Sequence, residues 1–358
     1  MTEHYDLAVV GAGIVGLGHA AAGLDRGLRV VVVERDAMIA GASVRNFGHV
    51  GTSVHVGEAG EYAIRARAAW LRLADHAGFW LRRSGSLMVA RHHDELAVLE
   101  EAGGGELLTA EQVAGLAPVM GAVGGMLQHG DLQVDPREAA PAIAAWLALQ
   151  GVEFQWRTTA LFAETGVLHT SRGEIRAEAI VFAVNYDVDH VFPEVAERNG
   201  IERCALDMLL SDGVGLPLPL LTGSSMLRYS AFATQPSAAA VRERIARDEP
   251  SILTLDVNHM LTERPDGTLI VGDTHTVGTA ISPFQNEGSF GLLERLTADL
   301  FGIAPRIRER WQGVYAKAPR DFLRAAPAEG MRVVSVTTGI GMTTGLGLAE
   351  AVVEELFG

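Results

Sequence analysis

The sequence has almost no cysteine and almost no lysine. Cys204 is the only cysteine, so no intrachain disulfide can form and a cluster of thiolate metal ligands is excluded. The mostly apolar residues around it favour a small core residue over a reactive thiol. Lys317 is the only lysine, and arginine supplies the other positive charges. A genomic codon bias explains that ratio but leaves open why the single lysine stands where it does.

The chain also lacks an excess of positive charge and any long apolar run. The formal net charge of −15 argues against nucleic acid or an anionic membrane as a main partner, because both bind clustered cations. No apolar run reaches the roughly 18 residues of a membrane span, and the N-terminus lacks the layout of a signal peptide. We therefore expect a cytoplasmic protein. With 48% hydrophobic and 20% charged residues, the composition is that of a globular chain, long enough for one large domain or two.

A complete nucleotide-binding pattern stands at the start of the chain. Tyr5–Val10 predicts a buried strand, and Gly11-Ala12-Gly13-Ile14-Val15-Gly16 is a Gly-x-Gly-x-x-Gly turn. The run Ile14–Arg26 predicts a helix, and Val30–Val33 a second buried strand that ends at Glu34. An acid about 20 residues after the turn is the position that binds a ribose. The whole unit predicts a dinucleotide site.

Each glycine of the turn has its own physical reason. Gly11 allows the tight turn, Gly13 lets the backbone approach a pyrophosphate, and Gly16 lets the helix pack closely on the strand. The unpaired N–H groups at the start of the helix then face the phosphates. The unit alone permits NAD or FAD equally.

A second strand, glycine loop and helix close the chain. Val333–Val336 predicts a buried strand, Gly339–Gly345 is a loop rich in glycine and threonine, and Leu346–Phe357 predicts a helix. Strand patterns occupy the middle of the chain, among them Met226–Phe232 and Ile252–Asn258. Because the nucleotide-type elements stand at both ends, we predict two interleaved domains. The first is a Rossmann-like domain of residues 1–78, 136–192 and 330–358, and the second is a substrate domain of residues 79–135 and 193–329.

Four separated motifs together resemble one family. They are the unit ending at Glu34, the loop Gly41-Ala42-Ser43…Asn46, the segment Val134-Asp135-Pro136 and the loop Gly339-Ile340-Gly341-Met342-Thr343. Over the whole chain they resemble the D-amino-acid oxidase/glycine oxidase/sarcosine oxidase superfamily of FAD-dependent amine oxidases. Further segments resemble a subgroup associated with phosphonate catabolism; these are Ser43–Gly48, Leu227-Arg228-Tyr229, Gly272-Asp273-Thr274-His275 and Trp311–Tyr315.

The resemblance implies an α/β fold in which a Rossmann-like FAD-binding domain is interleaved with an α+β substrate domain built on a mainly antiparallel sheet. It also implies FAD as the cofactor, bound non-covalently because no cysteine lies near Trp311–Lys317. The strand that ends in Ala183-Val184-Asn185 departs from the family, which usually has glycine at the last position. The residues expected along the cofactor are Gly11, Gly13, Ile14, Val15, Gly16, Glu34, Arg35, Ser43, Arg45, Asn46, Phe47, Gly48, Ala160, Ala183, Gly339, Gly341, Met342, Thr343 and Thr344.

The expected chemistry is the oxidation of a small anionic amine, with the acidic tail of the substrate held by a cation. The candidate anion clamps are Arg228, Lys317 and Arg320, with Tyr229 and Tyr315 as hydroxyl donors. His49 and His275 are candidates to contact the substrate or to accept a proton. Catalytic roles are thus expected for Lys317, His275, Tyr315, Arg228 and His49.

The leading substrate is of the aminoethylphosphonate type, with or without an N-methyl group, and oxygen is the expected acceptor. The products would be an aldehyde, ammonia or an amine, and hydrogen peroxide. A glycine/sarcosine-type amino-acid oxidase is one alternative, and a dehydrogenase that passes electrons to a quinone or carrier is another. A nucleotide-binding module without turnover is a third. No metal site is expected, because no cluster of ligand residues stands at a suitable spacing. The oligomeric state stays open.

Overall fold

The structure is a computed structural model and describes residues 4–358. The predicted N-terminal unit is present: strand β1 (His4–Val10), helix α1 (Ile14–Asp25) and strand β2 (Val30–Glu34). Along β1, alternate side chains enter the cores on the two faces of the sheet, with Leu7 in one core and Ala8 in the other. Because both faces are buried, the strand reads as a continuous apolar run.

The remaining strands of the described residues are, in chain order, β3 His49–Val50, β4 Leu81–Arg82, β5 Ser86–Ala90, β6 Glu106–Thr109, β7 Gly124–Gln128, β8 Leu132–Val134, β9 Glu153–Trp156, β10 Ala160–Glu164, β11 Val167–Thr170, β12 Gly173–Phe182, β13 Glu202–Asp212, β14 Leu220–Leu221, β15 Met260–Glu263, β16 Thr268–Gly278, β17 Ile307–Ala325 and β18 Met331–Thr338. The remaining α-helices are α2 Gly57–Ala77, α3 His93–Ala102, α4 Ala110–Leu116, α5 Pro136–Leu149, α6 Val188–Val191, α7 Pro193–Asn199, α8 Gly223–Met226, α9 Ser230–Ala233, α10 Ala238–Asp248, α11 Ser251–Thr254, α12 Glu287–Phe301 and α13 Gly341–Phe357. Short 3-10 turns occupy Ala42–Val44, Thr52–Val54 and Asn185–Asp187.

One large sheet carries most of these strands, in the order β6-β7-β5-β14-β15-β16-β13-β17-β18-β12-β1-β2-β9. The half formed by β18, β12, β1, β2 and β9 is parallel. The half that contains β13, β15, β16 and β17 is antiparallel. The predicted α/β fold with a Rossmann-like part and a mainly antiparallel part is therefore confirmed.

Strand β17 joins the two halves. Its first part pairs with β13 and its last part with β18, and the pairing with β18 shifts register between Lys317 and Phe322. The residue pattern of Arg306–Lys317 predicts a strand, and the observed strand continues beyond it to Ala325. A strand shared between both halves places its middle residues, including Tyr315, where the parallel and antiparallel parts meet.

Helices cover the parallel half. Helices α1, α2, α5 and α13 contribute to one buried core with β1 and β2, in which Trp70 and Leu17 are fully enclosed. Helices α6 and α7 contribute to the core on the opposite face. In the antiparallel half, α10 and α12 contribute to the cores on the two faces. The starts of α1 and α13 lie next to each other, since a Cβ on Gly345 would lie 3.1 Å from the Val15 side chain.

Two strand predictions in the middle of the chain are wrong. Met226–Phe232 forms the end of α8, a turn and most of α9. In Ile252–Asn258 the first three residues belong to helix α11, and turn and irregular residues follow. Within the first segment only Met226 and Phe232 are buried, six positions apart, so the run does not alternate as a strand does. In a short apolar run, tertiary contacts decide the conformation. The result matters because Arg228 lies between the two helices rather than on a strand.

Among residues 4–358, no helix combines the length and the apolar character that a membrane span requires.

Candidate functional site

A cavity of about 500 Å³ lies at the carboxyl ends of the parallel strands. Its volume is in the range of ligand and cofactor sites, about 300–1,000 Å³. The ends of parallel strands are where α/β sheets bind ligands. Its walls contain most of the residues expected along a cofactor, namely Gly11, Gly13, Ile14, Val15, Glu34, Arg35, Ser43, Arg45, Asn46, Ala160, Ala183, Gly339, Gly341 and Met342.

The glycine turn after β1 admits no side chain at two of its positions. Gly11 has a φ of +103°, and a Cβ there would lie 2.5 Å from the carbonyl oxygen of Ala183. A Cβ on Gly16 would lie 1.9 Å from the carbonyl oxygen of Gly11. Gly16 does not line the cavity; its place is the contact between α1 and the turn. Both positions therefore require glycine for close backbone packing.

The start of α1 faces a polar loop. The backbone N–H of Ile14 donates to Ser43 Oγ over 2.8 Å, and Ser43 is buried. The amide of Asn46 holds this loop together: its nitrogen donates to the carbonyl oxygens of Ala42 and Ser43, and its oxygen accepts from Gly48 N–H. Helix N-termini attract anions, and this one opens onto the cavity.

Acidic and basic side chains stand where β2 ends. Glu34 lines the cavity, and its carboxylate accepts from the backbone N–H groups of Ala12 (2.8 Å) and Asp36 (2.9 Å). The acid is therefore tied to the glycine turn itself. Arg35 forms an ion pair with Asp187 (2.7 Å), which also lines the cavity.

The loop before α13 also lines the cavity. Gly339, Gly341 and Met342 line the cavity, and the Met342 carbonyl oxygen accepts from Trp70 Nε1 (2.7 Å). Thr343 and Thr344 do not line it. The hydroxyl of Thr343 accepts from the N–H of Gly51, and that of Thr344 donates to a backbone oxygen one turn earlier. Their hydroxyls thus fix the first turn of α13 against its surroundings.

Two further expected cofactor residues lie outside the cavity wall. Phe47 belongs to the core of the antiparallel half, and its ring would be 2.9 Å from a Cβ on Gly272. Gly48 has a φ of +70°, and a Cβ there would lie 2.0 Å from the carbonyl oxygen of Val134. The structure gives both positions packing contacts in place of a cavity-facing position.

Asn185 follows β12 with a φ of +57°, a left-handed conformation that glycine and asparagine adopt most readily. Its side chain donates to the carbonyl oxygen of Val314 (3.3 Å) and accepts from the N–H of Ala316 (2.8 Å). Asparagine thus replaces glycine without loss of the turn. It also adds a clamp on β17 at the two residues that flank Tyr315.

Charged residues gather beside the cavity where β13, β16 and β17 approach the turn between α8 and α9. Arg228 donates from Nη2 to Tyr315 Oη (2.9 Å) and from Nη1 to Asp256 Oδ2 (3.1 Å). Burial alone would lower the pKa of Arg228, but Tyr315, Asp273 and Asp256 outweigh burial and raise it. The guanidinium therefore stays charged although it is largely enclosed.

Tyr315 connects this cluster to the cavity, because it lines the cavity and accepts from Arg228. Burial raises the pKa of Tyr315 well above its usual value, so the phenol is neutral at pH 7. A Cβ on Gly339 would lie 2.9 Å from the Tyr315 ring, so the loop before α13 packs directly against the tyrosine.

His275 lies on β16 with its Nδ1 2.5 Å from the carbonyl oxygen of Asp256. Burial and the nearby Arg228 lower the pKa of His275 to about 3, so its ring is neutral at pH 7. The structure thus brings Arg228, Tyr315 and His275 together as one cluster.

Lys317 lies two residues after Tyr315 on β17, half-buried, between Glu202 of β13 and Thr338 of β18. It acts electrostatically on His275, whose pKa it helps to lower. Within residues 4–358 the Lys317 ammonium has no hydrogen-bond or ion-pair partner. The single lysine is therefore a half-buried cation beside the cluster.

His49 lies in a separate network. Its Nε2 is 3.0 Å from Asp131 Oδ2, and both residues are buried. Burial alone would raise the pKa of Asp131, but hydrogen bonds from His49, Ser53 and Ser86 outweigh burial and lower it to about 2. The structure thus gives His49 a buried hydrogen-bond partner rather than a place among the residues around Arg228.

Sequence reasoning missed Asp256 and Asp273, although in the structure Asp256 lies beside Arg228 and Asp273 beside His275. Asp256 carries a positive φ of +44° and pairs with Arg228. Asp273 is fully enclosed beside His275. For Asp273 the only signal in the sequence is its position inside Gly272-Asp273-Thr274-His275. For Asp256 the sequence holds no signal, because only its tertiary contact with Arg228 marks it.

Asp187, Asp189 and His190 place one possible metal-ligand atom each within 4.8 Å of one another. Arg35 and Arg203 form ion pairs with the two carboxylates, at 2.7 and 2.6 Å. Because the arginines already neutralise these acids, the group reads as an ion-pair network.

The residues at the cavity fit a dinucleotide. A turn that admits no side chain, a helix start that lines the cavity and an acid at the end of β2 provide the features that a pyrophosphate and a ribose require. A second helix start, from the far end of the chain, also lines the cavity. The fold and the site therefore define a dinucleotide-binding α/β protein.

The particular family follows from comparison. The family model described as DAO, FAD dependent oxidoreductase, matches residues 6–355. The chain therefore belongs to the DAO family of FAD-dependent oxidoreductases, and its cofactor is FAD. No curated protein sequence matches the chain significantly.

Solved structures share the fold at low sequence identity. Glycine oxidase from Geobacillus kaustophilus is 20% identical with a TM-score of 0.78, covering 99% of this chain and 95% of its own. L-proline dehydrogenase from P. horikoshii is 17% identical with a TM-score of 0.80, covering 100% and 94%. L-alpha-glycerophosphate oxidase from Mycoplasma pneumoniae, with FAD bound, is 17% identical with a TM-score of 0.75, covering 99% and 94%. At such identities the similarity establishes the fold.

Proposed function

We propose that this enzyme oxidises a small anionic amine of the aminoethylphosphonate type, with or without an N-methyl group. The imine product is hydrolysed by water to an aldehyde and ammonia or an amine. Oxygen is the proposed acceptor, which gives hydrogen peroxide. The observation that carries the proposal is the largely enclosed Arg228, which donates to a tyrosine on the cavity wall.

Bound FAD supplies the two-electron oxidation of the C–N bond. The residues of this chain then have to hold and orient the amine. Arg228 offers a charged, planar donor set, which binds phosphonate or carboxylate in two parallel hydrogen bonds. Its present partner Asp256 is 66% exposed at the side chain, whereas that of Arg228 is 20% exposed. The anion of the substrate would replace this exposed carboxylate.

Two cations favour a doubly charged anion. Lys317 has no counter-ion among the described residues and is half-buried near His275. A phosphonate carries more negative charge than a carboxylate near neutral pH and offers three oxygens, so it uses both Arg228 and Lys317. A glycine-type substrate would leave the lysine unmatched. This difference supports the phosphonate over the carboxylate.

For the cofactor we propose the residues of the cavity wall. The start of α1, with Gly11, Gly13 and Ser43, would face the pyrophosphate, and Glu34 the ribose. The start of α13, at Gly341 and Met342, would face the flavin ring, where the positive end of the helix favours negative charge. We propose non-covalent attachment, because the only cysteine, Cys204, is buried on β13 and engaged with Tyr315.

The second candidate is an amino-acid oxidase or dehydrogenase. Glycine oxidase and L-proline dehydrogenase have the same fold as this chain. Arg228 would then bind an amino-acid carboxylate. Electrons would pass to oxygen in the first case and to a quinone or a carrier in the second.

A panel of amines tests both candidates. The purified protein, saturated with FAD, is mixed anaerobically with 2-aminoethylphosphonate, its N-methyl form, glycine, sarcosine or proline, and flavin absorbance is followed. We expect bleaching with the phosphonates and peroxide on admission of air. Bleaching with glycine or sarcosine alone would replace the substrate assignment. Slow reoxidation of the flavin in air would show that another acceptor takes the electrons in place of oxygen. A protein that stays colourless with added FAD would contradict the whole proposal.

A further inference from the structure

Asp273 is a buried acid without a full set of partners. Its backbone exchanges two hydrogen bonds with Asn258, Asp273 N to Asn258 O at 2.7 Å and the reverse at 2.8 Å, which fixes the residue on β16. The carboxyl atom Oδ2 lies 3.6 Å from His275 Nε2. The other atom, Oδ1, is enclosed and has no hydrogen-bond partner. An enclosed carboxyl oxygen in this state is costly unless a ligand completes it.

The hydrogen bond on the other side of the imidazole fixes the tautomer of His275. A backbone carbonyl only accepts, so the contact of 2.5 Å between His275 Nδ1 and the Asp256 oxygen requires the proton on Nδ1. A neutral His275 therefore turns the lone pair of Nε2 towards Asp273 Oδ2. Two acceptors face each other unless one proton lies between them. A proton on one of the two residues removes this repulsion across 3.6 Å, a separation too long for a hydrogen bond.

Electrostatics decide which residue carries that proton. Burial raises the pKa of Asp273 to about 7, although Arg228 and Asn258 act to lower it. Burial and Arg228 lower the pKa of His275 to about 3. Near neutral pH, therefore, Asp273 gains or loses the proton, and His275 stays neutral. The titratable and charged groups around the pair, from every neighbouring element, are Arg228, Tyr229, Asp256, Tyr315, Lys317 and Cys204.

We propose that Asp273 is the catalytic base that removes the proton from the substrate's ammonium group. The proposal rests on the proposed function, in which Arg228 holds the acidic tail of the same molecule. One N–H bond of the ammonium breaks, an O–H bond forms on Asp273 Oδ1, and the electron pair stays on nitrogen. The neutral amine is then ready for oxidation, and the proton later passes from Asp273 to solvent. His275 is a positioning residue, because it lies against the Oδ2 side of the carboxyl group and leaves Oδ1 without a partner.

The assignment gives a pH dependence of defined sign. Below the pKa of Asp273 the carboxyl is already protonated and cannot accept, so kcat/KM falls tenfold per pH unit towards acid. Above about 7 the value reaches a plateau. In Asp273→Asn the acceptor is absent, and we expect kcat/KM at pH 7 to fall about 10²- to 10⁴-fold, the usual contribution of a general base. Activity should return at high pH, where the free amine itself loses its proton.

A binding measurement tests the same residue without turnover. The probe is methanesulfonate, an anion without an amine whose own charge does not change with pH, and its binding is followed by flavin absorbance. In the wild type, affinity should fall as the pH rises through about 7, because ionised Asp273 repels the anion at Arg228. Asp273→Asn should bind it with no pH dependence over this range.

Asp207→Asn is the matched control. Asp207 is also a buried acid with one unpartnered oxygen, and burial raises its pKa, but it lies on β13 beside Thr274. It should keep the wild-type pH profile in both assays. FAD content and circular dichroism show whether each variant is folded.

The outcomes separate the two proposals. Amine oxidation with an unchanged pH profile in Asp273→Asn overturns the assignment of the base and leaves the proposed function standing. Absence of oxidation of every amine overturns the proposed function, and the role of Asp273 as an amine base falls with it. If Asp273→Asn does not fold, methanesulfonate binding to the wild type decides, since pH-independent binding contradicts a titrating Asp273.

Discussion

The glycine turn after β1 and the charged cluster around Arg228 meet at the same cavity, yet the chain specifies them in different ways. The turn is local: Gly11 and Gly16 stand five positions apart and constrain each other's backbone. The cluster is assembled from α8–α9, β16 and β17, so that Arg228 reaches Tyr315 across 87 positions. A local constraint leaves a motif in the sequence, whereas a long-range one leaves only separate residues.

The two regions also differ in what stabilises them. The turn depends on backbone contacts that tolerate no added atom. The cluster depends on polar and charged side chains that compensate burial, since Tyr315, Asp273 and Asp256 raise the pKa of Arg228 against the effect of burial. We therefore expect changes in the turn to abolish cofactor binding and folding together. Changes in the cluster should alter substrate binding and leave the cofactor in place.

The largest effect is expected from Gly16→Ala. Its Cβ would lie 1.9 Å from the carbonyl oxygen of Gly11, so α1 must move away from the turn. We expect a loss of about 3 kcal/mol or more in the free energy of unfolding and little or no bound FAD. Urea denaturation and the ratio of flavin to protein absorbance measure both. Gly291→Ala, an open position on the exposed face of α12, is the control and should be neutral or slightly stabilising. Normal FAD content in Gly16→Ala would contradict the close packing.

Arg228→Lys separates the two regions most sharply. Lysine keeps the positive charge but loses the planar donor set that serves Tyr315 and Asp256. We expect kcat/KM to fall roughly 30- to 5,000-fold, corresponding to about 2–5 kcal/mol for a broken buried charge pair. FAD content should not change. Arg295→Lys, at an exposed ion pair with Glu249, is the control. Equal effects of the two substitutions on kcat/KM would contradict a role of Arg228 in substrate binding.

The pair His49–Asp131 predicts a pH-dependent stability. The pKa of Asp131 is lowered to about 2 in the folded protein from an ordinary value of 3.8. Its contribution, about 2 kcal/mol, is therefore fully present above about pH 4 and is lost as the pH falls towards 2. In Asp131→Asn the free energy of unfolding should no longer show this loss between pH 4 and pH 2. Urea unfolding between pH 2 and pH 7 measures it, and an unchanged acid limb would argue against the pairing.

The smallest effect is expected at Asn185, which links the two regions. Asn185→Gly keeps the left-handed turn but removes the two hydrogen bonds to β17, at a cost of about 1 kcal/mol. Asn185→Ala loses the same hydrogen bonds and, unlike the glycine variant, keeps a Cβ at a φ of +57° without asparagine's polar side chain, which adds roughly 1 kcal/mol. Thermal unfolding should rank wild type above Asn185→Gly and Asn185→Gly above Asn185→Ala. The reverse order of the two variants would contradict the left-handed turn.

The sequence was sufficient for the cofactor half of the fold. The strand predicted over Tyr5–Val10 and the helix predicted over Ile14–Arg26 differ from the observed elements by one residue at an end. The sequence also locates the loop at Gly339, because glycine marks a backbone conformation or a close approach that other residues do not permit. These features rest on short-range sterics, and short-range sterics are visible in the residues themselves.

The substrate half could be predicted only in part. The list Arg228, His275, Tyr315 and Lys317 contains residues that meet in the structure, but it was drawn from a resemblance. The sequence pattern predicts a strand over Met226–Phe232, which is helical at both ends, and it does not mark Asp273 as a site residue. Nothing local distinguishes a buried acid from a solvated one, since its enclosure depends on β13, β17 and the turn after α8. The pairing of His49 with Asp131, 82 positions apart, is hidden for the same reason.

The central claim is that an anionic amine is held at Arg228 and oxidised with FAD in the adjoining cavity. Anaerobic titration of the FAD-loaded enzyme with 2-aminoethylphosphonate, followed by flavin absorbance, tests it most directly. We predict that the wild type bleaches fully. Arg228→Lys, with the same FAD content, should bleach only at far higher amine concentration. An unbleached wild type with every small anionic amine, or identical titrations for the two proteins, would contradict the claim.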